Sequence, residues 1–413
     1  MNAVLSEPLR QRADYTHKFN AKTGRHGWLR LTPAYSLKVV EEIIDNYDRD
    51  QLIFDPFCGT GTTALSAAYH GHRAATTDIN PFLIWLATAK TRHYTDRAVA
   101  SARAHASAIV SCVIRGELIP TTLAPPIHNI ERWWSPQSVD FLLRLRTGIA
   151  QLPTDQTGTR DLLLVAFCRA IIERSNAAFN HQSMSFKEAG EHSHSLDEMC
   201  DAFLRDVEFV LSGALDNPMG SASVIHCDSR ALPGAELKDV TSVITSPPYA
   251  NRMSYIRELR PYMYWLGHLV NGRDAGELDW LAIGGTWGIA TSRLKDWQRT
   301  DTCFRSESMD QAVAKIAHAD NKNGPLLARY VAKYFDDMWE HFKTMTPLLA
   351  PNADLHYIVG NSTFYGTLVS TELLYAEMLE ALGFRSVECR AIRKRNSKKE
   401  LIEFDVVAKW HGR

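Results

Sequence analysis

The feature that most restricts the fold is a glycine-containing turn between a short apolar strand and a helix. Residues 51–54 predict a buried strand and residues 63–70 a helix. Between them lies Asp55-Pro56-Phe57-Cys58-Gly59-Thr60-Gly61-Thr62-Thr63, whose glycines allow a sharp turn and close approach of a ligand to the backbone. The turn lacks the third glycine of a dinucleotide site and the Gly-Lys-Ser/Thr of a phosphate loop. An open α/β sheet is therefore predicted, with a ligand at this strand end.

Two further strands are predicted to end in acidic residues. Residues 74–77 precede Asp78-Ile79, and residues 223–227 precede Asp228-Ser229. Because the carboxyl ends of parallel strands share one sheet edge, Asp55, Asp78 and Asp228 are expected to line that edge. An acid about twenty positions after the glycine turn suits the two hydroxyls of a ribose. We therefore expect Asp78 to contact a ribose and Ile79 an adenine face, while Asp55 suits an ammonium group better than a pyrophosphate.

A second motif follows the apolar, β-branched residues 242–245, which predict another buried parallel strand. It reads Ser246-Pro247-Pro248-Tyr249. Neither proline has an N–H, and Pro247 pushes Ser246 out of the helical region, so the chain leaves the sheet stiff and extended. Ser246 and the carbonyl near Pro247 form a rigid pair of acceptors that suits an –NH2 group presented edge-on. Tyr249 offers a flat face for stacking.

The two motifs together resemble those of the DNA amino-methyltransferases, whose catalytic motif is Ser/Asn/Asp-Pro-Pro-Tyr/Phe. The resemblance implies S-adenosylmethionine as methyl donor and a Rossmann-like class I methyltransferase fold, with a seven-stranded mixed sheet and an antiparallel last strand. It implies that the catalytic residues are Ser246, Pro247, Pro248 and Tyr249. It also implies that cofactor contacts come from Asp55, Pro56, Phe57, Cys58, Gly59, Gly61, Thr62, Asp78, Ile79, Asp228 and Ser229, and, by a looser match, from Thr32 and Pro33.

The serine form of the catalytic motif is similar to that of the cytosine-N4 enzymes, so N4-methylcytosine in double-stranded DNA is the favoured product. A flipped base is required, because the amine is paired inside the duplex. Adenine-N6 methylation, methylation of an RNA base and a DNA-binding subunit without catalysis are the alternatives. The resemblance also implies a restriction-modification or related system with a cognate restriction endonuclease as possible partner. The recognition sequence and the oligomeric state do not follow from these motifs.

Three regions are predicted along the chain. Residues 1–83 hold the first cofactor motifs, with residues 1–25 loose or draped over the domain. Residues 84–222 form a mostly helical insertion and possible target-recognition region, because the third strand is delayed until residue 223. Residues 223–413 complete the methyltransferase domain, including a possible DNA-contacting segment at residues 250–325.

The net charge of −1 excludes a uniformly basic nucleic-acid binder, so a DNA surface must be a local patch. Aromatic and cationic residues after the catalytic motif suit a flipped base and its phosphates, and Arg252, Tyr255 and Arg257 are the candidates. The basic run at residues 393–399 joins two predicted strands of a closing hairpin, whose turn falls on the active-site edge. Its predicted phosphate contacts are Lys394, Arg395, Lys398 and Lys399.

The remaining composition argues against other classes. Seven cysteines without a C-x-x-C pair indicate reduced thiols and a cytoplasmic protein. The resemblance to the DNA amino-methyltransferases implies a bacterial or archaeal cell. His192, His194 and Cys200 lack an obvious fourth ligand, so no metal site is predicted. No apolar run approaches the roughly 20 residues of a membrane span.

Overall fold

A computed structural model describes residues 9–21, 23–31, 35–48, 50–178, 185–186, 195–234, 237–300, 303–395 and 400–412. Its central sheet has seven strands in the order β6-β7-β5-β4-β1-β2-β3. The strands are β1 Leu52–Asp55, β2 Arg73–Asp78, β3 Ser221–His226, β4 Val240–Thr245, β5 Leu349–Gly360, β6 Arg385–Lys394 and β7 Ile402–Trp410.

Strand β7 runs antiparallel to both of its neighbours, and every other pairing in the sheet is parallel. This order with one reversed strand is the class I methyltransferase fold, and the predicted fold is confirmed. The strand order reverses between β1 and β4, which pair through Ile53 with Ser242 and Phe54 with Val243. Open α/β sheets bind ligands outside the carboxyl ends of the strands at such a switch point. The glycine turn and the Pro-Pro-Tyr segment both leave the sheet there.

Helices cover both faces of the sheet and fill the long connection between β2 and β3. They are α1 His17–Asn20, α2 Leu37–Ile44, α3 Thr62–Tyr69, α4 Pro81–Thr91, α5 Asp96–Ile114, α6 Ile130–Trp133, α7 Pro136–Ala150, α8 Thr157–Glu173, α9 Leu196–Ala214, α10 Tyr255–Trp265, α11 Gly272–Leu281, α12 Ile289–Asp296, α13 Glu307–Ala317, α14 Gly324–Met345 and α15 Thr371–Ala381. Two short antiparallel pairs lie outside the main sheet, Ala177–Ala178 with Ser185–Phe186 and Ser362–Phe364 with Thr367–Val369.

The helical insertion shares one hydrophobic core with the helix that follows the catalytic motif. The rings of Trp134 and Phe167 contact Trp265 of α10 edge-on, at centroid distances of 5.7 Å and 5.9 Å. Apolar side chains that interdigitate in this way are packed at the density of a protein interior. A displacement of the insertion would therefore be transmitted to α10. The proposed boundaries at residues 84 and 222 remain a prediction.

Arg25 anchors the N-terminal segment, part of which was expected to be loose or draped over the domain. Its guanidinium is fully buried and donates to four backbone carbonyls at 2.5–3.1 Å. These carbonyls lie at the C-terminal ends of two helices: Lys90 and Arg92 at the end of α4, and Gly213 and Ala214 at the end of α9. Carbonyls at helix C-termini lack intrahelical donors and carry partial negative charge, so a cation is the preferred partner. The segment around Arg25 is therefore part of the core.

Candidate active site

A cavity of about 290 Å³ lies beside the carboxyl ends of β1 to β4. Its volume is close to the lower end of small-ligand sites, about 300 Å³. Residues from both predicted motifs line it, together with residues from the N-terminus and from the C-terminal hairpin. The lining includes Pro56, Phe57, Gly59, Asp78, Ile79, Asp228, Ser229, Ser246, Pro247, Pro248, Tyr249, Tyr255, Arg395 and Glu403.

The glycine turn is fixed to β2 by its own backbone. The N–H of Cys58 donates to the Thr77 carbonyl at 2.8 Å, and the N–H of Gly59 donates to Asp78 Oδ2 at 3.0 Å. Gly61 has φ of +76°, and a Cβ built there would lie 3.1 Å from the Ala87 Cβ of α4. The second glycine therefore serves the turn and the helix packing rather than the cavity wall.

Asp55 lies behind the cavity wall and ties the two motifs together. Its Oδ1 accepts hydrogen bonds from the Phe57 N–H at 3.0 Å and from Thr245 Oγ1 at 2.5 Å. The side chain is fully buried, and its Oδ2 accepts no hydrogen bond from the residues that the structure describes. Burial raises the pKa of Asp55 to about 6, although the hydrogen bonds from Thr245 and Phe57 act to lower it. An unpaired carboxylate oxygen at this position suits a cationic group.

Of the three predicted strand-end acids, Asp78 and Asp228 line the cavity itself. Asp78 accepts from the N–H groups of Gly59 and Asn80 at 3.0 Å and 2.9 Å, and burial raises its pKa to about 6. Asp228 is held by Arg230 through bonds of 2.7–3.0 Å. Burial opposes ionisation of Asp228, but the hydrogen bonds and charge of Arg230 hold its pKa below the usual range. Both Asp78 oxygens and Oδ2 of Asp228 keep a second lone pair for a ligand hydroxyl or amine, whereas Oδ1 of Asp228 already accepts two bonds from Arg230.

The Ser246–Tyr249 segment follows from the register of β4 and β5. Thr245 pairs with Tyr357, so Ser246 leaves the sheet opposite Ile358. The Ser246 hydroxyl donates to the Ile358 carbonyl at 2.9 Å. Its hydrogen is thereby used, and only lone pairs remain for a group in the cavity. Two residues further along the chain, the carbonyl of Pro248 accepts a hydrogen bond from the Tyr334 hydroxyl at 2.7 Å.

Several predicted residues lie elsewhere. Asp55, Cys58, Gly61 and Thr62 do not line the cavity, and burial raises the pKa of the Cys58 thiol. Thr32, Pro33, Lys398 and Lys399 lie outside the described residues.

The predicted DNA contacts occupy three different environments. Arg252 is exposed and has φ of +63°, with its N–H bonded to the Tyr330 hydroxyl at 3.0 Å. Tyr255 and Arg395 line the cavity instead of the outer surface. Arg257 and Lys394 are half-buried. The basic run therefore contributes to the wall of the site as well as to its surroundings.

Sequence reasoning missed part of the lining. Tyr15, Tyr35 and Ser36 reach the cavity from the N-terminal side, and Arg393 and Glu403 reach it from the hairpin. Tyr15 and Glu403 belong to no local motif, whereas Tyr35 and Ser36 follow Thr32-Pro33 closely and Arg393 opens the basic run. The length of the hairpin and the placement of its turn at the active-site edge were the available signals for Arg393 and Glu403.

No group of three His, Cys, Asp or Glu side chains suited to a metal ion is found among the described residues. His192 and His194 fall outside them, and Cys200 is buried in α9. None of the described helices combines the length and apolar character needed to cross a membrane.

The sheet has the strand order of the class I methyltransferase fold, and the acid-lined cavity lies at its switch point. Residues 37–109 match the family described as D12 class N6 adenine-specific DNA methyltransferase. That stretch contains the glycine turn and Asp78 but ends well before Ser246.

Three similar proteins carry the comparison further. The type II methyltransferase M.BsoBI of Geobacillus stearothermophilus is 21% identical over 95% of this chain and 85% of its own length. M.MvaI of Kocuria varians is 23% identical over 79% of this chain and 74% of its own. M.AvaI of Anabaena variabilis is 18% identical over 88% of this chain and 80% of its own length. The chain is thus a distant homologue of type II methyltransferases, and this relationship implies S-adenosylmethionine as methyl donor.

Proposed function

We propose that the protein is a DNA methyltransferase of a restriction-modification system that methylates the N4 amine of a flipped cytosine. The observation that carries the proposal is the cavity shared by the two motifs. Gly59 and Asp78 line it on one side, and Ser246 and Tyr249 line it as well. A donor held at the first motif and a base held at the second would lie near enough for direct transfer.

The residues present fit S-adenosylmethionine. Asp78 would accept the ribose hydroxyls, Ile79 would contact the adenine face and Asp228 would accept from the adenine amine. Asp55 lies behind the cavity wall, so its unpaired Oδ2 would favour the ammonium of the methionine end through its negative charge and not by lining the cavity. When bound, the cofactor supplies an electrophilic methyl group on a positively charged sulfur.

The catalytic segment would act on the amine. Ser246 Oγ, whose hydrogen is committed to Ile358, can only accept from the amine. The Pro247 carbonyl would be the second acceptor, since the Pro248 carbonyl already accepts Tyr334. Both acceptors favour a pyramidal nitrogen with a lone pair aimed at the methyl group and stabilise its developing positive charge. Tyr249 would hold the ring by stacking, so positioning is the main contribution.

Cytosine is favoured over adenine by the Ser-Pro-Pro-Tyr form of the motif. The family matched over residues 37–109 is described as adenine-specific, which supports adenine N6 as the second candidate. That match covers the cofactor half of the site and none of residues 246–249, so it bears on the methyl donor more directly than on the base.

Direct contacts with DNA outside the cavity are proposed for the exposed Arg252, for Arg257 and for Lys394. Tyr255 and Arg395 lie in the cavity wall and would act next to the flipped base. The insertion at residues 84–222 and the segment at residues 250–325 are the proposed target-recognition regions. The names of the similar proteins support a cognate restriction endonuclease as partner.

The test is incubation of unmethylated duplex DNA with protein and S-adenosylmethionine, followed by digestion and mass analysis of the nucleosides. We expect N4-methylcytosine, with the same reaction on RNA and the Ser246→Ala variant as controls. N6-methyladenine would replace the first candidate by the second. No methylated nucleoside from either DNA or RNA would reject the enzyme proposal. Methylation sequencing of DNA from cells that express the chain would then give the recognition site.

A further inference from the structure

The hydroxyl of Tyr249 is held by a residue from the opposite end of the chain. It donates to Glu403 Oε1 at 2.8 Å, and Glu403 is only 6% exposed. Arg393 fixes this carboxylate by donating from Nε to Oε2 at 2.7 Å and from Nη2 to Oε1 at 3.1 Å. A two-point guanidinium–carboxylate pair is strong and directional. The acceptor for Tyr249 is therefore held in one orientation.

Arg395 makes a second contact with the same side chain. Its guanidinium carbon lies 4.8 Å from the centre of the Tyr249 ring, within the range of a cation–π contact. Arg395 Nη1 donates to the Asn361 carbonyl at 2.8 Å, and its backbone N–H donates to the Leu401 carbonyl at 2.8 Å. The guanidinium is thus a bound part of the cavity wall.

Gly360 provides the space for this arrangement. A Cβ built there would lie 2.6 Å from Arg395 Nη1 and 2.9 Å from its Cζ. Gly360 is the last residue of β5, two positions after the residue that binds Ser246. The three atoms nearest to this Cβ all belong to Arg395, so a methyl group at this position would displace the Arg395 guanidinium from Tyr249.

We propose that Glu403 and Arg395 are positioning residues that fix the Tyr249 ring in the orientation needed to receive the target base. This inference rests on the proposed function. It assigns base capture to the C-terminal hairpin together with residues 246–249, and it gives Arg395 a role through Tyr249 instead of through a DNA phosphate. A stacking surface that is already ordered costs less entropy when the base binds.

The test compares Gly360→Ala and Glu403→Leu with wild type and with Gly234→Ala. Leucine has no acceptor for the Tyr249 hydroxyl. Gly234 is a matched control, because it is exposed and a Cβ there meets only Leu348, at an ordinary contact distance of 3.6 Å. The duplex carries the site found by methylation sequencing, with 2-aminopurine at the target position in a second version. Three quantities are measured: the Kd for S-adenosylmethionine by calorimetry, kcat and KM for DNA, and the fluorescence of 2-aminopurine in the saturated complex. Thermal melting reports folding.

A misplaced ring is expected to lower kcat/KM for DNA by about 10- to 100-fold in both variants. The fluorescence increase of the saturated complex should fall, because less of the base is held outside the helix. The Kd for S-adenosylmethionine in both variants, and all measurements on Gly234→Ala, should match wild type. Glu403→Leu leaves Gly360 unchanged, so it tests the proposal independently if Gly360→Ala unfolds.

Two outcomes would overturn the proposal. One is wild-type fluorescence in both saturated variants, even with a raised and salt-dependent KM, which would identify a phosphate clamp. The other is an equal loss of cofactor binding and DNA activity, which would indicate general disruption of the site. Failure of the proposed function is seen separately, as wild-type protein that methylates no DNA.

Discussion

Replacement of Asp55 by Asn separates the role of this residue in stability from its role in cofactor binding. The native carboxyl is fully buried, and burial raises its pKa from 3.8 to about 6. This difference between the two pKa values corresponds to about 3 kcal/mol. Because the folded pKa is the higher one, the fold is favoured by protonation. The ionised carboxylate therefore costs the native state this free energy increasingly as pH rises from about 4 to 6, and fully above that range.

Asn keeps an oxygen for the Phe57 and Thr245 donors but does not ionise. The free energy of unfolding of the variant minus that of wild type should therefore increase by about 3 kcal/mol between pH 4 and pH 8. Any constant cost of the buried amide cancels in this comparison. Urea denaturation followed by tryptophan fluorescence at several pH values measures the difference. The exposed Asp155 offers a control, since Asp155→Asn should give a difference that is flat with pH.

Although the Asp55→Asn variant should gain stability relative to wild type as pH rises, it should bind the cofactor more weakly. A neutral amide removes the negative charge behind the cavity wall, so the Kd for S-adenosylmethionine should rise by roughly 10- to 100-fold, the equivalent of about 1.5–3 kcal/mol for a charge–charge interaction in a partly buried site. A stability difference that is independent of pH would refute the burial argument. Unchanged cofactor affinity in the same variant would refute the role of this charge in binding the ammonium.

Three other outcomes are expected. Ser246→Ala should lower kcat for DNA by about 100-fold or more with an unchanged Kd for S-adenosylmethionine, because it removes an acceptor that acts on the reacting amine; activity within a few-fold of wild type would contradict this. Gly61→Ala should have a lower melting temperature than Gly71→Ala. Both variants carry about 1–2 kcal/mol of left-handed backbone strain, but only the Cβ at residue 61 also meets Ala87, at 3.1 Å. Equal melting temperatures would refute the packing role of Gly61. Calorimetry should show cofactor affinity rising as pH increases through about 6, because Asp55 and Asp78 both have raised pKa values near 6 and bind best when ionised; a flat profile would indicate that neither carboxylate binds the ligand.

Element prediction succeeded where a segment carries its own signal. The strands before Asp55, Asp78, Asp228 and Ser246 all lie close to the predicted positions. The apolar pattern of residues 326–349 predicts one long helix, and residues 356–360 predict the strand after it. In the structure α14 ends at Met345, and β5 begins at Leu349, seven residues before the predicted strand. Tertiary pairing decides that boundary, since Leu349 pairs with Val240 of β4. The three glycines of residues 284–288 predict a flexible loop, but Gly285 packs against buried Asp279, whose Oδ2 accepts from the Trp287 N–H at 2.7 Å.

The order of strands and the two motifs at their ends could be read from the chain because strand, turn and helix preferences are local. The fold class follows from them, while the roles of Asp55, Asp78, Ser246 and Tyr249 remain predictions for the experiments above. Only the tertiary structure brought Glu403 to the Tyr249 hydroxyl, across 154 positions of sequence. It likewise placed Arg395 over the ring and Gly360 beneath the guanidinium. Such contacts depend on how the reversed strand docks against β5, and no short stretch of sequence encodes that docking.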